Sequence, residues 1–452
     1  MKALHRPHLR PCFRGTARHQ RGVATLVVVS MLFFIVSLVA AYANRNLIFE
    51  QRTSANQARS TLAFETADAG VEWAASMLNV GRIDASCQPT ADASATSFRD
   101  RYLEIDATTG LVQPRANMAA SPPSLPTCVH NGTQWLCSCP ATGASSTPTV
   151  PPGVIAPAFR LRFVQRPANR PGTVWVEVQA CTRLDDTCLG TGANSATAGE
   201  GRAKTAVLLA LRSALPSPPV AALVARGTVV VNSSGVRVNN SQQGNGRSLA
   251  IQAGGAVSVS GTGSLVLGGA AGEIVPTLAQ LVPDLSLSTL ITPAGDWFFG
   301  SLFGIQALVY RDQPASLRLP CTAADPCNAE RLRTAANRNP GRILWAQGDV
   351  NLDGGLPLGS ATEPVMLVVE GNLEANSIQV YGLIYGRRMP TPPTLPTWSV
   401  TGNNLTVFGA VVAENNLTLS GPVEVTRDAN VLNLLRWRHG SFVRVPGGWS
   451  DY

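Results

Sequence analysis

Nine cysteines, five histidines and one short acidic loop are the residues of this 452-residue chain whose types and spacing could do chemistry. Eight cysteines lie beyond residue 22: Cys87, Cys128, Cys137, Cys139, Cys181, Cys188, Cys321 and Cys327. An even set containing tight pairs suits disulfides made outside the cytoplasm. Zinc is the rival reading, but no C-x-x-C occurs and only His130 and His439 lie beyond residue 22, so disulfides are favoured. Spacing pairs Cys181 with Cys188 and Cys321 with Cys327, each closing a short loop that contains Asp and Thr. Cys87, Cys128, Cys137 and Cys139 allow three connectivities. A direct Cys137–Cys139 link would be strained, and the expected arrangement is Cys128–Cys137 with Cys87–Cys139.

The acidic loop runs Asp349-Val350-Asn351-Leu352-Asp353-Gly354 and matches the opening of a calcium-binding EF-hand loop. Its twelfth position, where a bidentate Glu belongs, is Ser360, with Glu363 the nearest acid. The flanks read as strands, so a polar turn is the favoured reading and no metal or cofactor is assigned. Catalysis is not expected either. Glycoside chemistry needs two carboxylates at a fixed separation, yet from Val220 to Tyr310 the only charges are Arg226, Arg237, Arg247, Glu273, Asp284 and Asp296. No phosphate-binding, zinc-protease or nucleophile-elbow motif is present. His439, among Arg436, Arg438 and Arg444, reads as a surface histidine in a basic tail rather than a general base.

The elements that carry these residues differ in texture along the chain. The net charge of +8 is concentrated at one end: Lys2, Arg6, Arg10, Arg14, Arg18 and Arg21 precede residue 23 with no acid among them, leaving +2 elsewhere. A nucleic-acid protein with a broad basic face is thereby disfavoured. Residues 23–43 carry no charge over twenty-one positions, about 30 Å of helix and the thickness of a bilayer's hydrocarbon. The preceding positive charges place the N-terminus in the cytoplasm. From Asn44 to Val80 there is no proline and one glycine, and Ala58, Leu62, Thr66, Ala69, Trp73 and Met77 recur at spacings of three and four. One continuous helix over 23–80, roughly 85 Å long, is expected, its second half turning an apolar stripe to a globular body.

Residues 81–215 form the next region. An Asn131-Gly132 turn joins the Cys128 and Cys137 flanks. Strands are expected at Phe159–Arg166, Thr173–Arg183 and Lys204–Leu211, the first two alternating apolar and polar residues as in a half-buried antiparallel sheet. After Ser217-Pro218-Pro219, residues 216–452 show short apolar runs punctuated by Gly and Asn, at 227–235, 256–261, 264–269, 365–372, 377–386, 404–415 and 416–426. Their mutual likeness and low charge favour stacked rungs of a β-solenoid over a β-sandwich. Residues 274–340 read as an insertion with a helix around Asn328–Asn339 and the Cys321/Cys327 pair. The fold class is α+β: a long helix on a small antiparallel sheet, followed by an all-β domain.

The junction Arg21-Gly22-Val23-Ala24, a basic leader followed by glycine and a long apolar helix, resembles a class III signal peptide cut by a prepilin peptidase. The stretch LAFETADAGVEWAASML (Leu62–Leu78) is similar to the helix signature of PilX-type minor pilins of type IV pili. The resemblance implies a leader over 1–22, cleavage between Gly22 and Val23, and a pilin-type helix over 23–80. It departs from the usual pattern at Val23, where Phe or Met is common, at Val27, where Glu usually stands, and in lacking a mid-helix proline. What it implies is assembly rather than chemistry. The chain would be anchored in the inner membrane by one pass and later displayed on a pilus at the cell surface. Its partners would be other minor and major pilins and the prepilin peptidase, with no nucleic acid and a possible host or surface receptor. A minor pseudopilin of a type II secretion system and a membrane-anchored adhesin or glycan-binding β-solenoid remain the alternatives.

Overall fold

The computed structural model describes residues 21–150, 156–166, 170–183, 201–232, 235–240, 249–259, 265–268, 280–281, 283–288, 297–387 and 396–451. The chain divides into two compact units, Met1–Arg59 and Ser60–Tyr452. Helix α1 (Arg21–Met77) runs from one into the other. In the first unit its apolar side chains, Leu26 through Phe49, stand exposed all round.

In the second unit the closing turns of α1 bury Ala63, Thr66, Ala67, Val71, Ala74, Met77 and Leu78. This face lies beside the stripe expected from sequence. Ala58 is exposed, and Leu62, Ala69 and Trp73 stand at its margin. The reason is size. The small residues Ala63, Ala67, Gly70 and Ala74 let the helix backbone approach the sheet, whereas Trp73 needs room at the edge.

The sheet receiving this face is six-stranded and antiparallel. Its order across is Gly440–Asp451, Arg202–Ser213, Thr173–Cys181, Ala158–Val164, Thr127–His130 and Trp135–Ser138. Alternation puts Phe159, Leu161 and Phe163 with Val174, Val176 and Val178 in one core beneath α1. The strand Gly440–Asp451 was grouped by sequence with the all-β region. It instead returns to the edge of this sheet, with Gly440 opposite Ser213.

Everything between Ser213 and Gly440 is therefore inserted into the small sheet. Within it the strands pair in parallel along three ladders. One joins Ser316–Pro320, Ile343–Gln347, Val365–Val369, 382–386, 409–413, Leu223–Ala225, Ile251–Ala253 and Gln280–Leu281. A second runs from Cys327–Asn328 through Val350–Asp353, 373–376, 400–403, Asn416–Ser420 and Val229–Val231 to Val257–Val259. The third joins 378–381, 405–408, Val423–Thr426, Val236–Asn239 and Leu265–Gly268.

The strands do not stack in chain order. Those at 223–225, 229–231 and 236–239 pair with those at 411–413, 417–419 and 423–426. Residues 316–320 and 327–328, placed by sequence inside an insertion, are ladder strands. The expected helix lies at Ala329–Arg338, capped by the Asn328 side chain on the Arg331 amide. Valines and leucines from all three ladders fill the interior. The outer side of the first ladder is covered by Phe298, Phe299, Phe303, Tyr310, Leu432 and Leu435 from short helices, which is why Val365–Val369 is buried on both faces.

Candidate functional site

The expected cleavage pair, Gly22 and Val23, stands in the first turn of α1, and Val27 follows on the same apolar helix. Residues from Val23 onward make α1 long and apolar enough to cross a membrane. What this stretch offers is an uncharged cylinder that can pack against lipid or against other apolar helices.

The seat of α1 on the sheet is built by close approach. A Cβ on Gly70 would lie 2.7 Å from Val178 Cγ1 and 3.0 Å from the Phe159 ring. Trp73 closes the margin with its ring edge-on to Phe98 at 5.4 Å and tilted against Phe159 at 5.7 Å. The returning strand is tied to the same helix by Asn79, whose side-chain amide donates to Phe442 O at 2.9 Å while its carbonyl accepts from Phe442 N at 2.8 Å. Arg444 pairs with Asp68 at 3.1 Å and also with Glu72. Sequence reasoning missed Asn79, because nothing marks an asparagine at a helix end as the partner of a strand 363 residues away.

The cysteines lie where they brace this seat. Cys87 is bonded to Cys139 and Cys128 to Cys137. Cys128 and Cys137 face each other across the Thr127–Ser138 hairpin. Arg101, buried, donates to the carbonyls of Ile83, Asp84 and Cys139 at 2.6–2.8 Å and holds the larger loop against the sheet. Cys321 is bonded to Cys327 at one end of the ladders. Cys181 is disulfide-bonded, and its expected partner Cys188 lies outside the described residues.

The acidic loop falls on the strand Val350–Asp353. Asn351 and Asp353 lie in register with Glu374 and Asn376 of the next strand, and Asp349 accepts from the Asn372 amide at 2.7 Å. Ser360 and Glu363 bond to each other across a separate turn. Among the described residues no cluster of three or more His, Cys, Asp or Glu could hold a metal ion. His439 corrects its sequence reading as a surface residue: it is 5% exposed, in the joint between the helix Ala429–Arg438 and the returning strand. Burial, with Arg99 and Arg438 beside it, pushes its pKa down to about 3, so the ring is neutral.

Comparison with known proteins points to the same helix. Residues 21–72 match the family model described as PilX N-terminal. No curated protein matches the chain. Among solved structures, the competence-associated pilin ComZ from Thermus thermophilus aligns at 14% identity, over 87% of this chain and 97% of that one, with a TM-score of 0.21. Over residues 21–72, then, the chain is similar to the N-terminal region of PilX-type proteins.

Proposed function

We propose that the protein is a PilX-like minor pilin, acting at the tip or in the initiation complex of a type IV pilus. Its role is assembly, and no catalytic activity is assigned to it. The observation that carries the reading is an apolar α1 of PilX type that bears valine at position 27, fifth after Gly22. In pilins of this kind a glutamate there is expected to neutralise the N-terminal amine of a neighbouring subunit within the apolar bundle. An unpaired charge in such surroundings costs several kcal/mol. A valine subunit repeated along a shaft would leave amine after amine unpaired, whereas a subunit at the very tip lacks that neighbour. The inserted β body, read here as a β-solenoid, agrees with a terminal position, since its bulk would crowd a packed shaft.

In this reading a prepilin peptidase cuts after Gly22, and the helix waits in the inner membrane before joining other pilins. Two measurements test it. Replacing Gly22 with a bulky residue should leave the uncut chain in the membrane; an unchanged mature mass would refute processing there. An epitope label near Tyr452 on sheared pili should mark ends. Label spaced along the shaft would sink the tip assignment.

A further inference from the structure

Where the inserted body meets the small sheet, four segments converge on a cleft: the helix Phe98–Tyr102, the turn 339–342, the turn 359–365 and the joint 438–439. The cleft has a volume of about 50 Å³, room for a few waters or one small oxyanion and too little for a sugar or nucleotide. Its charge is unbalanced. Arg99, Arg342 and Arg438 line it against Asp100 and Glu363.

Both acids are already engaged. Asp100 lies 3.5 Å from Arg438 and accepts from the Ser97 hydroxyl at 2.7 Å. Glu363 lies 3.7 Å from Arg82 and is largely exposed. Arg99, 5% exposed, reaches only two carbonyls, Gly440 O at 3.5 Å and Pro340 O at 3.4 Å, and its Nε has no partner. His439 Nδ1, also buried, has none. Arg342 Nε is likewise unmatched, its other nitrogens bonding to Asn339, Pro314 and Ser316. Asp100 is the carboxylate beside both Arg99 and Arg438, and buried positive charge in excess of its counter-charge is costly. Gly341 makes room for the Arg99 guanidinium, since a Cβ there would fall 1.8 Å from Arg99 Nη2.

From this geometry we infer a binding site for one small oxyanion of the phosphate or sulfate class, held by Arg99, Arg438 and the His439 ring. The ligand would join the returning strand to the helix Phe98–Tyr102 and so fasten the inserted body to the small sheet. This inference stands independently of the pilin reading.

The test uses the full chain in detergent micelles with inorganic phosphate as the probe and sodium chloride at matched ionic strength as the control. Phosphate should raise Tm by about 2–4 °C beyond chloride, and Arg99→Met should lose that rise. Should Arg99→Met fail to fold, Arg438→Gln, at a part-exposed position, should weaken phosphate binding at least ~10-fold. Glu363→Gln removes a negative charge from the rim and should tighten binding by roughly threefold. A rise no larger than in chloride would leave only water in the cleft and overturn the site. So would equal phosphate affinity in wild type, Arg438→Gln and Glu363→Gln.

Discussion

At Gly70 the helix–sheet spacing is set by the absence of a side chain. Glycine inside a helix costs about 1 kcal/mol relative to alanine, so its presence is explained by contact with Val178 and Phe159. Gly70→Val should destabilise the folded body by about 2–3 kcal/mol through overpacking, read as a lower denaturant midpoint. An unchanged midpoint would mean the helix is not seated on that face. His439 makes a second residue-scale prediction. Its folded pKa of about 3 lies below the ordinary value of 6.5, so the unfolded chain binds the extra proton between these values. Stability from this group is therefore complete above pH 6.5 and lost as pH falls toward 3, by at most ~1.4 kcal/mol per unit. Arg99 and Arg438 face the ring and Asp100 stands beside Arg438. Only the histidine titrates in the upper part of that window, so His439→Gln should flatten the stability curve between pH 6.5 and 5. A slope equal to wild type there would contradict its burial.

At the scale of elements, α1 and the returning strand hold one another. The edge strand Arg202–Ser213 would present unpaired backbone groups without Gly440–Asp451 beside it, and Asn79 is the side chain that docks that strand onto the helix. Asn79→Ala removes both bonds to Phe442 and should cost about 1–3 kcal/mol. Asn79→Asp keeps the acceptor but loses the donor, and should fall between the two. Hydrogen exchange at the Phe442 amide reads this locally. Faster exchange in Asn79→Ala, with the Val176 amide still protected, is the expected pattern; unchanged exchange would show the lock to be idle.

At the scale of the whole molecule, the β body is an insertion whose two ends meet. Gly440 stands opposite Ser213 in register, and an early and a late strand of the body pair at 236–239 and 423–426. Replacing residues 217–438 with a short turn-forming linker should therefore leave α1 and the six-stranded sheet folded. Contacts across the junction include the Arg82 amide to Arg338 O, the Ala315 amide to Ser441 Oγ and the Trp437 ring packed on Gly110. The shortened chain should retain the Cys87–Cys139 and Cys128–Cys137 bonds by mass mapping. A reduced, aggregated product would show the sheet to depend on the inserted body.

Some of this was determined by the sequence alone, because the signal is local. Twenty-one uncharged residues and the periodicity of three and four after them read as one long helix, alternation in FRLRFVQR and TVWVEVQACTR as half-buried strands, and the stretch around Asn328–Asn339 as a short helix. Short apolar runs ending in Gly and Asn marked most of the parallel strands for the same reason. Contacts between distant segments left no such trace. The buried side of α1 depends on where small residues let two backbones approach. The place of His439 depends on segments near residues 99, 341 and 364 arriving around it. That the earliest strands of the body pair with the latest, and that the final strand completes the antiparallel sheet, depends on pairing between segments some 190 to 240 residues apart. Parallel strands of similar composition can stack in several orders with nearly equal local energy. The order is chosen only when the whole chain closes and its two ends meet at the small sheet.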